Sequence, residues 1–197
     1  MLEALGLLEL DSIAAGVEVA DAMLKMAPVE FVDAFMTTPG KYVVLVHGDP
    51  SSVRSSFDAG RAMAHGALLD SLYIPFLHPQ VVPALRQEVR LETLDAVGLV
   101  ETTSVASGVL AADDAAKAAA IRLVHLHVAR GIGGKSILLL EGALHDVQAA
   151  VAAAAERAGA SLRLASTRII PQPHPDLAAR LAGGLQRGGL GAGSRSV

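Results

Sequence analysis

The segment ALGLLE at residues 4–9 decides the fold, because a near copy of it, AVGLVE, returns at residues 96–101. Among the single residues that recur at the same spacing of 92 are Gly16 with Gly108, Ala20 with Ala112, Asp21 with Asp113 and Lys25 with Lys117. Towards the end of each copy the spacing grows to 96, where IPFLHP at 74–79 matches IPQPHP at 170–175. A period this long indicates a duplicated domain rather than a solenoid of short repeats.

The periodicity of the first copy predicts an order of strands and helices. Residues 4–10 form an apolar run typical of a buried strand, and Ser12 is a suitable cap for a helix that extends to about Lys25. The apolar side of that helix is predicted to consist of Ile13, Val17, Ala20 and Leu24. The rest of the copy is predicted as strands at 29–36 and 42–46, a helix that opens at Asp49-Pro50 and a short strand at 72–74.

The second copy repeats this order. Its predicted elements are strands at 96–100, 121–128, 136–140 and 162–170 and helices at 104–118 and 144–158. The pattern β-α-β-β-α-β is that of a ferredoxin-like α+β domain, with its helices on one face of an antiparallel sheet. The chain therefore divides into a first domain at 1–80, a linker at 81–95, a second domain at 96–182 and a flexible glycine-rich tail at 183–197.

Composition excludes several classes of function. The chain has 197 residues, of which 52% are hydrophobic, and its net charge of −4 comes without any dense basic block, which disfavours nucleic-acid binding. It contains no cysteine, so disulfides, thiolate metal sites and thiol nucleophiles are excluded. The longest run without a charged residue, 71–85, is too short to cross a membrane, and we expect a cytoplasmic protein. The apolar excess suggests surface that is buried in an oligomer.

The repeated motifs resemble those of the tandem-domain shell proteins of bacterial microcompartments. They are ALGLLE, DAMLK at 21–25, HGD at 47–49 and IPFLHP in the first half, with AVGLVE, DDAAK at 113–117 and IPQPHP in the second. The resemblance covers residues 4–177 in unpermuted order, and the loop segments TTPGKY and GIGGKS are most similar to members from propanediol-utilisation compartments.

This resemblance implies a homotrimer whose six domains form a pseudohexameric disc with a central pore for small polar metabolites. The discs would assemble with other shell proteins, around encapsulated enzymes, in the cytoplasm. The residues that the resemblance places around the pore are Thr37, Thr38, Pro39, Gly40, Gly131, Ile132, Gly133 and Gly134. Lys25 and Lys117 would lie at the rim where neighbouring discs meet.

Some tandem members of this family hold an iron–sulfur cluster through a cysteine in the first central loop, where this chain has Thr38. We therefore expect no cofactor and no electron transfer by that route. His125 and His127 share one face of a predicted strand and could hold a metal, but a structural pair of histidines is the preferred interpretation, so no metal site is predicted.

Catalysis is not expected either. The segment GIGGKS lacks the first glycine of a phosphate-binding loop, since Ala129 stands at that place. His78 and His174 lie between prolines without an arranged nucleophile. We expect a non-enzymatic shell protein, and the alternative is a regulatory oligomer that binds a small molecule between its ferredoxin-like domains.

Overall fold

A computed structural model describes residues 3–183 and 185. The first domain contains β1 (Ala4–Leu10), α1 (Ile13–Met26), β2 (Glu30–Thr37), β3 (Lys41–Gly48), α2 (Pro50–Ala64) and β4 (Leu68–Ile74), followed by the short helix α3 (Val81–Leu85). The second contains β5 (Ala96–Thr102), α4 (Val105–Ala118), β6 (Arg122–Val128), β7 (Ser136–Gly142), α5 (Leu144–Ala160) and β8 (Leu164–Ile170), followed by α6 (Pro175–Leu181).

Each domain has one four-stranded antiparallel sheet. The strand order is β2-β3-β1-β4 in the first and β6-β7-β5-β8 in the second. The ladders correspond position by position: Leu7 lies opposite Leu72 in the first sheet, and Leu99 lies opposite Arg168 in the second. The predicted duplication of a ferredoxin-like unit is therefore confirmed.

Local chemistry explains why the first helix of each domain begins where it does. The Ser12 hydroxyl accepts the backbone N–H of Ala15 at 3.3 Å, and Ser104 accepts that of Ser107 at 3.2 Å. The recurring glycines have a packing role, because a Cβ on Gly16 would lie 2.4 Å from the Tyr42 ring. A glycine at this position lets the helix approach the third strand of its sheet.

Both faces of strand β1 are buried. Leu8 and Leu10 pack with helices α1 and α2 of their own domain, while Leu5 and Leu7 belong to a larger cluster. That cluster also contains Val81 and Val82 of α3, together with many residues of the second domain. The two domains therefore share a hydrophobic core, which explains why β1 is a continuous apolar run.

The predicted apolar side of α1 is mostly wrong. Ile13, Val17 and Leu24 are exposed, and only Ala20 of the four is buried. The residues of this helix that face the sheet are Gly16, Val19, Ala20 and Met23. The helix carries apolar residues on two sides, and periodicity alone did not identify which side its own sheet covers.

Helices α3 and α6 were not predicted, because each is short and follows a proline-rich segment. Helix α3 begins the predicted linker and packs into the shared core through Val81 and Ala84. Helix α6 covers the second sheet with Leu181, which packs against Val97, Val124 and Leu139. The predicted tail, 183–197, lies outside the described residues apart from positions 183 and 185.

Candidate functional site

The two loops predicted to line the pore lie side by side. The Thr37 hydroxyl donates to the carbonyl oxygen of Ala129 at 3.0 Å. The Arg130 guanidinium pairs with Asp33 at 2.6 Å and lies over the Phe35 ring, 4.2 Å from its centre. These three contacts join strand β2 of the first domain to the start of the β6–β7 loop of the second, and residues 38–40 line one cleft with Arg130 and Gly131.

The glycines of these loops are conformationally required. Gly40, Gly131, Gly133 and Gly134 have φ values of +91°, +72°, +65° and +83°, which side chains rarely adopt. Of the eight predicted pore residues, Thr38, Pro39, Gly40, Gly131 and Gly133 are exposed, Ile132 is half-buried, and Thr37 and Gly134 are buried. Thr38 and Pro39 are joined by a cis peptide bond. The loops thus present hydroxyl and backbone groups at one end of the chain's two sheets.

Two acids near these loops have partners that sequence reasoning did not name. Glu9 is buried at the end of β1 and accepts from the Lys41 ammonium at 2.8 Å. Its half-buried counterpart Glu101 lies 3.5 Å from Lys135 in the second domain. The signal was present in the sequence, since each lysine follows the loop glycine that recurs between the copies.

The domains meet along a seam formed by β4 and α3 of the first domain and by α4 and β6 of the second. Asp113 of α4 is buried in this seam, where it accepts the backbone N–H of His78 at 2.8 Å and pairs with Lys117 at 2.5 Å. The Gln80 amide pairs with the edge of β6, donating to the Ile121 carbonyl at 2.9 Å and accepting from the Leu123 N–H at 2.8 Å. These contacts satisfy backbone groups that a free sheet edge would leave exposed.

Asp21 and Lys25 are the first-domain counterparts of Asp113 and Lys117, but within the part of the chain that the structure describes no second domain covers them. Asp21 and Lys25 pair with each other at 2.6 Å, but their side chains are 60% and 74% exposed, whereas the Asp113 side chain is 2% exposed. Likewise Val17 is 55% exposed and its counterpart Val109 is 0% exposed. The face of α1 that carries Ile13, Val17, Asp21 and Leu24 is hereafter called the α1 outer face; the equivalent face of α4 is buried against the first domain.

The two predicted assembly lysines lie in the last turns of α1 and α4. Lys25 is fully on the surface, while Lys117 borders the seam through Asp113. A positive charge at the C-terminal end of a helix is stabilised by the helix dipole. Both side chains remain accessible in the single chain.

The histidines on β6 are buried in the second domain. His125 and His127 stack with ring centres 5.9 Å apart, and the His127 ring donates to the Arg130 carbonyl at 2.6 Å. Burial, followed by the nearby His127 and Arg90 charges, lowers the pKa of His125 to about 4. Within the described residues no group of three potential metal ligands is present, and no helix is long and apolar enough to cross a membrane.

The fold and the seam define a class of protein: a tandem pair of ferredoxin-like domains that present matching surfaces, one set buried inside the chain and the other exposed. The chain belongs to the BMC-domain family, since the model of the BMC domain matches it twice, at residues 4–77 and 96–173.

Three similarities place the chain within this family. It is 41% identical over 177 residues to the bacterial microcompartment shell protein PduT of Citrobacter freundii, covering 90% of this chain and 96% of that protein. A crystal structure of a microcompartment protein from Desulfitobacterium hafniense DCB matches with a TM-score of 0.86 at 43% identity, over 90% of this chain and 98% of that one. The shell protein EutK of Salmonella typhimurium is 45% identical over 64 residues, which is 32% of this chain and 39% of EutK.

Proposed function

We propose that this protein is a structural tile of a bacterial microcompartment shell and that it forms a homotrimer with six domains in a pseudohexameric disc. One observation carries the proposal: the α1 outer face is exposed, although the equivalent face of α4 is buried against the first domain. A second chain that places β8 and α6 on this face would cover Val17 and Ile13 as the first domain covers Val109 and Val105. In a closed ring each chain contributes one internal seam and one new seam, and three chains supply the six domains of the disc that the family resemblance implies.

The pore proposal rests on the adjacency of the two central loops. The Thr37–Ala129 and Arg130–Asp33 contacts hold them at the same end of the chain, so a threefold axis beside them would collect six loops. The groups they present are hydroxyls and backbone amides, and the nearby Arg130 is paired with Asp33. A ring of such neutral groups creates no strong electrostatic barrier, so small polar or anionic metabolites can pass through it.

Lateral assembly is proposed for Lys25 and Lys117, whose accessible ammonium groups at helix ends are suited to donate to carbonyl groups of neighbouring discs. Other shell proteins and encapsulated enzymes are the proposed partners. The relatives named above are themselves shell proteins, which supports a structural role without catalysis.

The decisive experiment combines light scattering with electron microscopy on the purified protein. We expect a stable trimer at micromolar concentration and extended hexagonal sheets at higher concentration. A stable monomer or dimer would overturn the proposed ring. A discrete trimer that never forms sheets and is stabilised by a small metabolite would instead favour the regulatory oligomer.

A further inference from the structure

We propose that an ion pair forms across the seam between two chains and determines which surfaces meet there. It joins Arg168 on β8 of one protomer to Glu18 on α1 of the next. The equivalent position of the seam inside the chain has two leucines. This inference rests on the proposed ring and goes beyond it by naming the residues that decide which surfaces meet. The α1 outer face is therefore covered by strand β8 of a second copy of this chain.

The correspondence of positions follows from the two sheets and the two helices. Leu72 and Arg168 occupy the same ladder position, opposite Leu7 and Leu99 respectively. Glu18 and Leu110 each lie six residues after the serine that caps their helix, Ser12 and Ser104. Leu72 with Leu110 is thus the internal counterpart of Arg168 with Glu18.

Inside the chain this position of the seam is apolar on both sides. Leu72 and Leu110 line the same cleft between β4 and α4 and pack against the shared core cluster. No charged group is needed there, because the contact is made within one chain and is fixed by its connectivity.

Between chains the position carries opposite charges. Glu18 and Arg168 are both exposed, and within residues 3–183 and 185 neither forms an ion pair with another side chain. The Arg168 guanidinium donates to the carbonyl of Thr167 at 2.6 Å. Bringing the two side chains together in a partly buried seam gains a charge-assisted pair, whereas burying either one alone leaves an uncompensated charge.

At a second pair of positions the charged side chains lie at the seam inside the chain and the uncharged ones at the seam between chains. Asp70 and Arg163 line the cleft inside the chain, and their counterparts at the new seam are Ser166 and Ala67. The register supports this correspondence, since Glu9 lies opposite Asp70 and Glu101 opposite Ser166. Similarly, the Ala67 carbonyl accepts from the Asp11 N–H where the Arg163 carbonyl accepts from the Thr103 N–H.

The two seams are therefore not interchangeable. If β8 packed on α4 of another chain, Arg168 would meet Leu110, and if β4 packed on a foreign α1, Leu72 would meet Glu18. Each mismatch buries an unpaired charge, so the arrangement rejects wrong pairings as well as favouring the correct one. Chain connectivity fixes the internal seam, and these residues favour the β8–α1 contact at the seam between chains.

The test is a double-mutant cycle on trimer dissociation. The quantity measured is the dissociation midpoint, the protein concentration at which half of the trimer has dissociated on dilution. We expect Arg168→Glu and Glu18→Arg each to raise this midpoint by at least about tenfold, because like charges then face each other. The double variant restores an Arg–Glu pair in the opposite orientation, and its midpoint should return to within about threefold of the unmodified protein. Glu156→Arg, a charge reversal on exposed α5, is the matched control and should leave the midpoint unchanged.

Circular dichroism of the dissociated chains checks that the single variants fold, as exposed positions allow. If the unmodified protein is a trimer but the double variant is no better than the weaker single variant, the ion pair is refuted while the ring stands. If the unmodified protein is not a trimer, the proposed ring itself fails, and the inference fails with it.

Discussion

Asp113 accepts the backbone N–H of His78 at 2.8 Å across the seam between the domains, and it does so from a buried position. Asp21 stands at the same place in the first domain with its side chain exposed. One residue type at one repeated position thus has two environments, buried against the other domain in one copy and exposed in the other.

Asp113→Ala should destabilise the fold of the single chain, whereas Asp21→Ala should weaken only the trimer. The first change leaves the His78 N–H without its acceptor and removes the partner of Lys117, which costs on the order of 2 kcal/mol in the free energy of unfolding. Denaturant unfolding measures the first effect and sedimentation on dilution the second. Equal effects of the two substitutions on unfolding of the dissociated chain would contradict the assignment of the two seams.

Val17→Asp should produce a folded chain that no longer forms trimers. Val17 is exposed in the single chain, so the carboxylate is solvated there, but in the ring it would be buried on the α1 outer face without a partner. Light scattering reports the change in mass. The control is Met63→Asp, because Met63 is an exposed apolar residue on α2, and a trimer that survives Val17→Asp would refute the proposed contact.

Replacing Lys25 and Lys117 by alanine should give trimers that do not form sheets. Alanine is preferred to aspartate at residue 117, because a carboxylate there would lie beside buried Asp113 and disturb the seam. Electron microscopy gives the result directly. Arg61→Ala, on the surface of α2, is the control that should leave sheets intact, and unchanged sheets in the double lysine variant would refute the assembly role.

Thr38→Cys should bring the thiols of the three protomers together near the axis. Thr38 is exposed on the loop between β2 and β3, so a thiol there is accessible. Short bifunctional maleimides should then link chains of the trimer efficiently, while the control variant Ser55→Cys, on exposed α2, should not be linked within a trimer. If intact trimers of the Thr38→Cys variant fail to cross-link, the pore position is refuted and the shell assignment is untouched.

Stability should rise with pH between about 4 and 6.5 because of His125. The folded-state pKa of His125 is lowered to about 4, below the value of about 6.5 for a free histidine, so the unfolded chain binds more protons in that window. The free energy of unfolding therefore increases as the pH rises through the window and levels off above it. Thermal unfolding of His125→Leu should show a smaller slope over the same range, and an unchanged slope would assign the dependence to other groups.

Much of the fold was predictable from the sequence because it is encoded locally and twice. The apolar runs of β1 and β5, the serine caps of α1 and α4 and the proline after Asp49 specify elements without reference to distant residues. The repeat then presents most of these local signals a second time. Helix α3 escaped prediction because its five residues carry no local signal and are stabilised by Val81 in the shared core.

The sequence by itself determined that two ferredoxin-like domains follow one another, while the roles of the loops at 37–40 and 131–134 and of Lys25 and Lys117 remain predictions from the family resemblance. Only the tertiary structure decided which side of each first helix is covered. Helices α1 and α4 have the same caps, the same glycine and the same acid–lysine pair, yet Val17 is exposed and Val109 is buried. The physical reason is that burial depends on the neighbour across the seam, and no local pattern states which neighbour that is.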